Sequence, residues 1–186
     1  LKRLVLPPLK FVITGTGKVG NGAKEVLDAI KIKEVSPENY LTKNYAQPVY
    51  TQIDVLEYNK RKDEQILDFS DFYKNPKEYV SDFEKFTKVS DIYITGHFYG
   101  NDAPVILTRE MLKANDCKIK VVADVSCDVN GPIAVRYDHL LLPNLYTDIC
   151  QTRIKRLMFF IPQQLLSWLL IICRVNYQKM PVMVLE

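Results

Sequence analysis

The chain has 186 residues, 47% of them hydrophobic and 25% charged, which is enough to bury one sizeable core and far from the composition of a disordered segment. Its net charge of +3 arises entirely near the end, because residues 1–134 hold 19 basic and 19 acidic groups. A neutral main body offers no phosphate-tracking face, which argues against nucleic acid as a partner. Four cysteines, Cys117, Cys127, Cys150 and Cys173, form no C-x-x-C pair. That usage points to reduced thiols and an intracellular, cytoplasmic setting. No signal peptide opens the chain, and Leu1-Lys2-Arg3, without an initiator Met, reads as the middle of something longer.

Pro7-Pro8 marks the entry to a first strand over Leu9–Thr14, which runs straight into Gly15, Gly17 and Gly20. From Asn21 to Ile30, apolar residues recur at Ala23, Val26, Leu27 and Ile30, the spacing of a helix with one buried face. Three more strand-like runs follow, Val49–Leu56, Asp91–His97 and Lys118–Val125, the last nearly all apolar as in a central strand covered on both sides. Between them Asp68–Phe86, rich in Asp, Glu, Lys, Tyr and Phe, reads as a solvated amphipathic cover. Strands alternating with helical stretches predict an α/β, Rossmann-like doubly wound parallel sheet.

The G-x-G-x-x-G of residues 15–20 in strand–turn–helix context points to a bound dinucleotide. Gly15 permits the tight turn, Gly17 lets the backbone approach a pyrophosphate, and Gly20 lets the helix pack near the strand. Thr16, Lys18 and Val19 complete the cradle, with helix amides from Lys18 onward facing the phosphates. The second strand should end in an acid that accepts from the adenine ribose hydroxyls. Asp54 is the choice; Glu34 lies nearer the glycines in a weaker strand context. An acid there favours NAD and repels the 2′-phosphate of NADP, although Lys60-Arg61-Lys62 could hold that phosphate if the loop curls back. As a solvated charge run, the three have no such role.

Ligands of doubly wound sheets bind just outside the carboxyl ends of the strands, so Thr95–Gly100 and Asp124–Asp128 should flank the cofactor. His97, Phe98, Tyr99, Asp124 and Ser126 are the contact residues expected from these two segments. His97 is either an acid–base group or a hydrogen-bonded loop histidine. Cys127 reads better as a buried thiol than as a nucleophile, and Asp124 or Asp128 either orients the ligand or caps its loop. No metal site is expected.

The segments K-F-V-I-T-G-T-G-K-V-G-N-G-A (Lys10–Ala23), D-I-Y-I-T-G-H-F-Y (Asp91–Tyr99) and V-V-A-D-V-S-C-D-V-N-G-P-I-A (Val121–Ala134) resemble the cofactor domain of lysine-forming saccharopine dehydrogenases, in the alanine dehydrogenase and transhydrogenase group. The resemblance covers residues 1–134. It implies NAD-dependent oxidation of a secondary amine, giving lysine and 2-oxoglutarate. It also implies that the acid–base pair belongs to an amino-terminal substrate domain preceding Leu1, so no catalytic residue carries over and the chain alone is expected to be inactive. The rival from another class is a non-catalytic dinucleotide-binding or interaction module.

After Ala134 the resemblance stops and the composition changes: acids thin out and L-L-S-W-L-L-I-I-C appears. An adjacent reading frame, compatible with codons for residues 135–186, encodes a peptide that continues the family's pattern. The expectation is therefore a single nucleotide lost just after the Ala134 codon, leaving the sheet incomplete and 135–186 as an aberrant tail. A membrane anchor over Leu157–Cys173 is the weaker reading, because Pro162-Gln163-Gln164 interrupts it and it falls short of the ~20 residues a span needs.

Overall fold

The computed structural model describes residues 6–65, 68–97, 100, 102–125 and 131–133. The segment 135–186, its reading frame and its anchor-like stretch lie outside the described residues. So do Phe98, Tyr99, Ser126, Cys127 and Asp128.

Alternation of side chains builds the sheet. In β1 (Lys10–Thr14), Phe11 and Ile13 face one side and Val12 the other, all essentially fully buried. The same period of two places Ile92 and Ile94 of β6 (Ile92–Thr95) with Phe11 and Ile13, and Tyr93 with Val12. Two apolar layers result, one on each face, and the sheet must be covered twice. The helix α1 (Lys18–Ala29) lays Ala23 and Leu27 on one layer. On the other, Tyr40 of α2 (Pro37–Thr42), Val55 and Tyr58 of α3 (Val55–Tyr58), Phe72 of α4 (Phe69–Lys74) and Phe86 of α5 (Glu84–Thr87) close the core.

The sheet has five strands in the order β2-β3-β1-β6-β7, where β2 is Lys33–Glu34, β3 is Val49–Ile53 and β7 is Val121–Asp124. Every pairing is parallel, with Thr14 opposite both Ile53 and Thr95. Central β1 therefore has earlier-wound strands on one side and later-wound strands on the other. The carboxyl ends of β3, β1 and β6 meet at this switch, where open α/β sheets form their ligand crevice. The fold is α/β and Rossmann-like, as the sequence predicts.

Two local expectations are corrected. The strand over Val49–Leu56 stops at Ile53, because Asp54 caps α3: its Oδ1 accepts from the Leu56 amide at 2.8 Å, and the Asp54 amide donates to Glu57 Oε2 at 2.7 Å. This reciprocal capping box ends the extended run. The segment 68–86 is no solvated cover. It contains α4, a 3₁₀ turn (Pro76–Glu78), β5 (Tyr79–Ser81) and α5, and it buries Phe72, Tyr79, Phe83 and Phe86. Its β5 pairs antiparallel with β4 (Asn59–Arg61) as a separate two-stranded ribbon.

Candidate functional site

A three-way backbone contact sets the site. Gly15 follows β1 with φ +93°, and a Cβ there would fall 2.6 Å from both the Gly96 oxygen and the His97 Cα. A Cβ on Gly20 would sit 2.0 Å from the Gly15 oxygen, and one on Gly96 would meet the Gly20 Cα at 2.6 Å. Gly15, Gly20 and Gly96 thus let the β1 turn, the start of α1 and the end of β6 touch without intervening side chains. Gly17 differs: a Cβ there would meet nothing within 4 Å. The backbone at Gly17 faces open space.

Side chains brace this turn from below. Gln52 Nε2 donates to the Gly15 oxygen at 2.9 Å and to Asn21 Oδ1 at 3.0 Å, while Asn21 Nδ2 donates to the Thr16 oxygen at 3.2 Å. The Gly15 amide donates to the Ile53 oxygen at 2.8 Å. The helix that follows carries no side-chain cap at Gly17 and no acid in its first turn, unlike α2, α3 and α4, which Ser36, Asp54 and Asp68 cap. Its first amides keep the partial positive charge that a helix start presents.

The cleft over this turn has a volume of about 160 Å³. Gly15, Thr16, Gly17, Asp54 and His97, expected at separate points of the chain, all line it. Lys18 and Val19 lie exposed on the first turn of α1, and Gly20 is buried behind Gly15. Asp124 ends β7, where its Oδ1 accepts from Thr95 Oγ1 at 3.0 Å; it is not a wall of the cleft. Glu34 sits on edge strand β2 in a 2.6 Å ion pair with Lys24, away from the cleft. The basic run is committed elsewhere: Arg61 pairs with Asp63 and Asp71, Lys62 reaches the Lys77 carbonyl, and Lys60 lies 3.7 Å from Asp82.

Gly96, inside the Thr95–Gly100 segment expected to flank the cofactor, also lines the cleft, as do Tyr58, Phe69 and Tyr73, which sequence reasoning did not select. Gly96 stands in no spacing pattern with the first three glycines. The other three follow Asp54 on α3 and α4, helices that the reading of a long strand and a solvated cover did not anticipate.

His97 is neutral at physiological pH. Burial lowers its pKa to about 4, although Asp124 pulls the other way. Its Nδ1 lies 2.6 Å from Thr14 Oγ1, which is 3.1 Å from the fully buried Tyr93 hydroxyl, and its ring packs 6.0 Å from Tyr58. One arrangement satisfies all three groups: Tyr93 donates to Thr14, Thr14 donates to Nδ1, and the ring proton sits on Nε2, which has no partner and is shielded from water. This is the environment of a hydrogen-bonded loop histidine rather than of a proton shuttle open to solvent.

Because the unfolded imidazole titrates near 6.5 and the folded one near 4, the unfolded state binds more protons between those values. Stability is therefore intact above pH 6.5 and falls as the pH drops toward 4. This single group accounts for a loss on the order of 3 kcal/mol across the window. The H97N variant, which keeps a polar atom near Thr14 but cannot titrate, is expected to lose that much less stability than wild type. Urea melts at pH 7 and pH 4.5 check it, and parallel losses in the two proteins would contradict it.

Among the described residues no helix is long and apolar enough to cross a membrane, and no His/Cys/Asp/Glu cluster could hold a metal. No protein-family model matches the chain. Curated relatives do. The chain is 28% identical over 152 residues to the mitochondrial alpha-aminoadipic semialdehyde synthase of Rattus norvegicus, across 68% of this chain and 16% of the relative. It is 27% identical to the mitochondrial protein of that name in Bos taurus over the same shares. With alpha-aminoadipic semialdehyde synthase of Arabidopsis thaliana it shares 26% identity over 148 residues, 68% of this chain and 14% of that one. The chain spans about a sixth of the length of these relatives. Two of the three carry a mitochondrial name, so cytoplasmic placement stays an expectation of the sequence alone.

Proposed function

We propose that this chain carries the nicotinamide-dinucleotide cleft of a saccharopine dehydrogenase-like oxidoreductase of the lysine-forming type. The observation that carries the reading is the open backbone at Gly17, set on a braced glycine turn beside an uncapped helix start. A diphosphate needs that combination: close approach without a side chain, and amides with unspent positive charge. The similarity to alpha-aminoadipic semialdehyde synthases supports the same reading.

Thr16 and Gly17 border the space for the diphosphate, and Asp54, one strand over, accepts from the adenine ribose hydroxyls. The capping bond to Leu56 fixes the orientation of the Asp54 carboxylate. Held here, NAD would supply the acceptor for a hydride from the carbon bearing a secondary amine, whose imine product water would split into lysine and 2-oxoglutarate. This chain's residues hold and orient the dinucleotide; the amino-acid substrate and the acid–base chemistry are assigned to no residue here. Asp54 and the committed state of Arg61 and Lys62 favour NAD over NADP.

Fluorescence titration of the chain with NADH and with NADPH tests the proposal. Wild type is expected to bind NADH more tightly. D54N keeps a capping side chain, so its fold persists. It should weaken NADH roughly tenfold, the value of a hydrogen bond to a charged group, and narrow the preference over NADPH. Folded wild-type protein that ignores millimolar NADH would refute the proposed function. An unchanged NADH affinity in D54N would refute the role of Asp54.

A further inference from the structure

The described chain leaves four large hydrophobic side chains exposed: Val19, Phe69, Tyr73 and Val105. Two of them, Phe69 and Tyr73, stand on one short helix, α4, and both line the cleft. Single exposed apolar residues need no explanation, but two aromatic rings on one helix beside a cleft that also holds Asp54 do. Their helix lies outside the alternating strand–helix frame of the sheet, in the segment between β4 and β5.

The rings are held from behind. Tyr73 packs edge-on against Phe72 at 5.6 Å and 80°, and Phe72 packs edge-on against Tyr79 at 5.0 Å and 79°. Phe72 and Tyr79 are buried, so Tyr73 stands on a fixed base with 67% of its surface facing out. An Asp68 side chain caps the helix start by accepting from the Asp71 amide at 3.0 Å. Tyr73 lines the same cleft as Asp54 and Tyr58.

We infer that Phe69 and Tyr73 of α4 form a stacking platform for the adenine base of the bound dinucleotide, next to the carboxylate of Asp54 that takes the adjoining ribose. The inference rests on the proposed function and adds what it lacks, a surface that recognises the base. An aromatic ring stacks on adenine face to face, while the sugar hydroxyls need an anionic acceptor a few ångströms away; the lining of one cleft holds both. The glycine turn alone would accept any diphosphate. With α4 in place, the chain selects diphosphates that carry a purine.

Titrations of the full chain with NADH and with ADP, which has the adenine end but no nicotinamide, test this. Y73A and F69A should each weaken both ligands by a similar factor, roughly tenfold, as expected for loss of one base–aromatic stack. Y73F keeps the ring and should bind both like wild type. Because both residues are exposed, the variants should melt with wild type, and thermal scans verify it. Wild-type affinity in both alanine variants overturns the inference while leaving the proposed function standing. So does weakened NADH with unchanged ADP, since it would put the rings at the other end. A wild-type chain that binds neither ligand fails the proposed function itself and takes the inference with it.

Discussion

The G20A variant is expected to lose roughly 3 kcal/mol of stability, whereas G22A, two residues further along the same helix, should gain about 0.5–1 kcal/mol. The contrast isolates one contact. At Gly20 the added Cβ would fall 2.0 Å from the Gly15 carbonyl oxygen and 2.9 Å from its carbon. Both are backbone atoms, so relief requires moving α1 away from the β1 turn, which would also open the contact with Gly96. At Gly22 the added Cβ meets nothing within 4 Å, and alanine removes only the entropic penalty of a glycine inside a helix. Denaturant melts of the two variants beside wild type decide the matter. Equal stabilities would mean that α1 does not sit on the glycine turn as described.

Gly17 yields the opposite pattern, lost binding with a retained fold. Its φ of −81° and ψ of −169° suit any residue, and its outward direction is open, so G17V should stay within about 1 kcal/mol of wild type. The valine methyls would occupy the space where the diphosphate must meet the backbone. Measurable NADH binding should disappear, a loss of at least roughly a hundredfold, or about 2.7 kcal/mol. Matched melting curves with unchanged NADH affinity would show that the ligand, if any, lies elsewhere.

The strands β1, β3 and β6 were legible because burial on both faces leaves little freedom of composition, whereas β7, read as a central strand, ends the described sheet with only Ala123 buried. The runs at Leu9–Thr14, Asp91–His97 and Lys118–Val125 contain β1, β6 and β7, and the helix read from its amides at Lys18 and its apolar period over Asn21–Ile30 is α1. Val49–Leu56 ran too long because Val55 and Leu56 are as apolar as the strand before them. The D-x-x-E pattern of Asp54 and Glu57 was the available stop signal. The segment 68–86 misled for another reason: its elements are three to six residues long, too short for a period to emerge, and its buried aromatics alternate irregularly with charges.

Part of the site was legible too, since Gly15, Gly17, Asp54 and His97, distant in sequence, share one cleft. The motif named the turn, and strand ends named the rest. Gly96 was placed beside the cofactor only as part of Thr95–Gly100; its contact with Gly20 was hidden because the two lie 76 positions apart and only the packed sheet joins them. The α4 aromatics were hidden because a Phe or Tyr among lysines and aspartates looks alike whether it enters a core, as Phe72 does, or stays exposed, as Tyr73 does.

The central claim is that an uncluttered backbone at Gly17 receives a diphosphate. Calorimetric titration of NADH into wild type and into G17V, at matched folded concentration, reads that claim most directly. The account predicts saturable one-to-one heat with wild type and none with G17V; equal heat in both, or none in either folded protein, would contradict it.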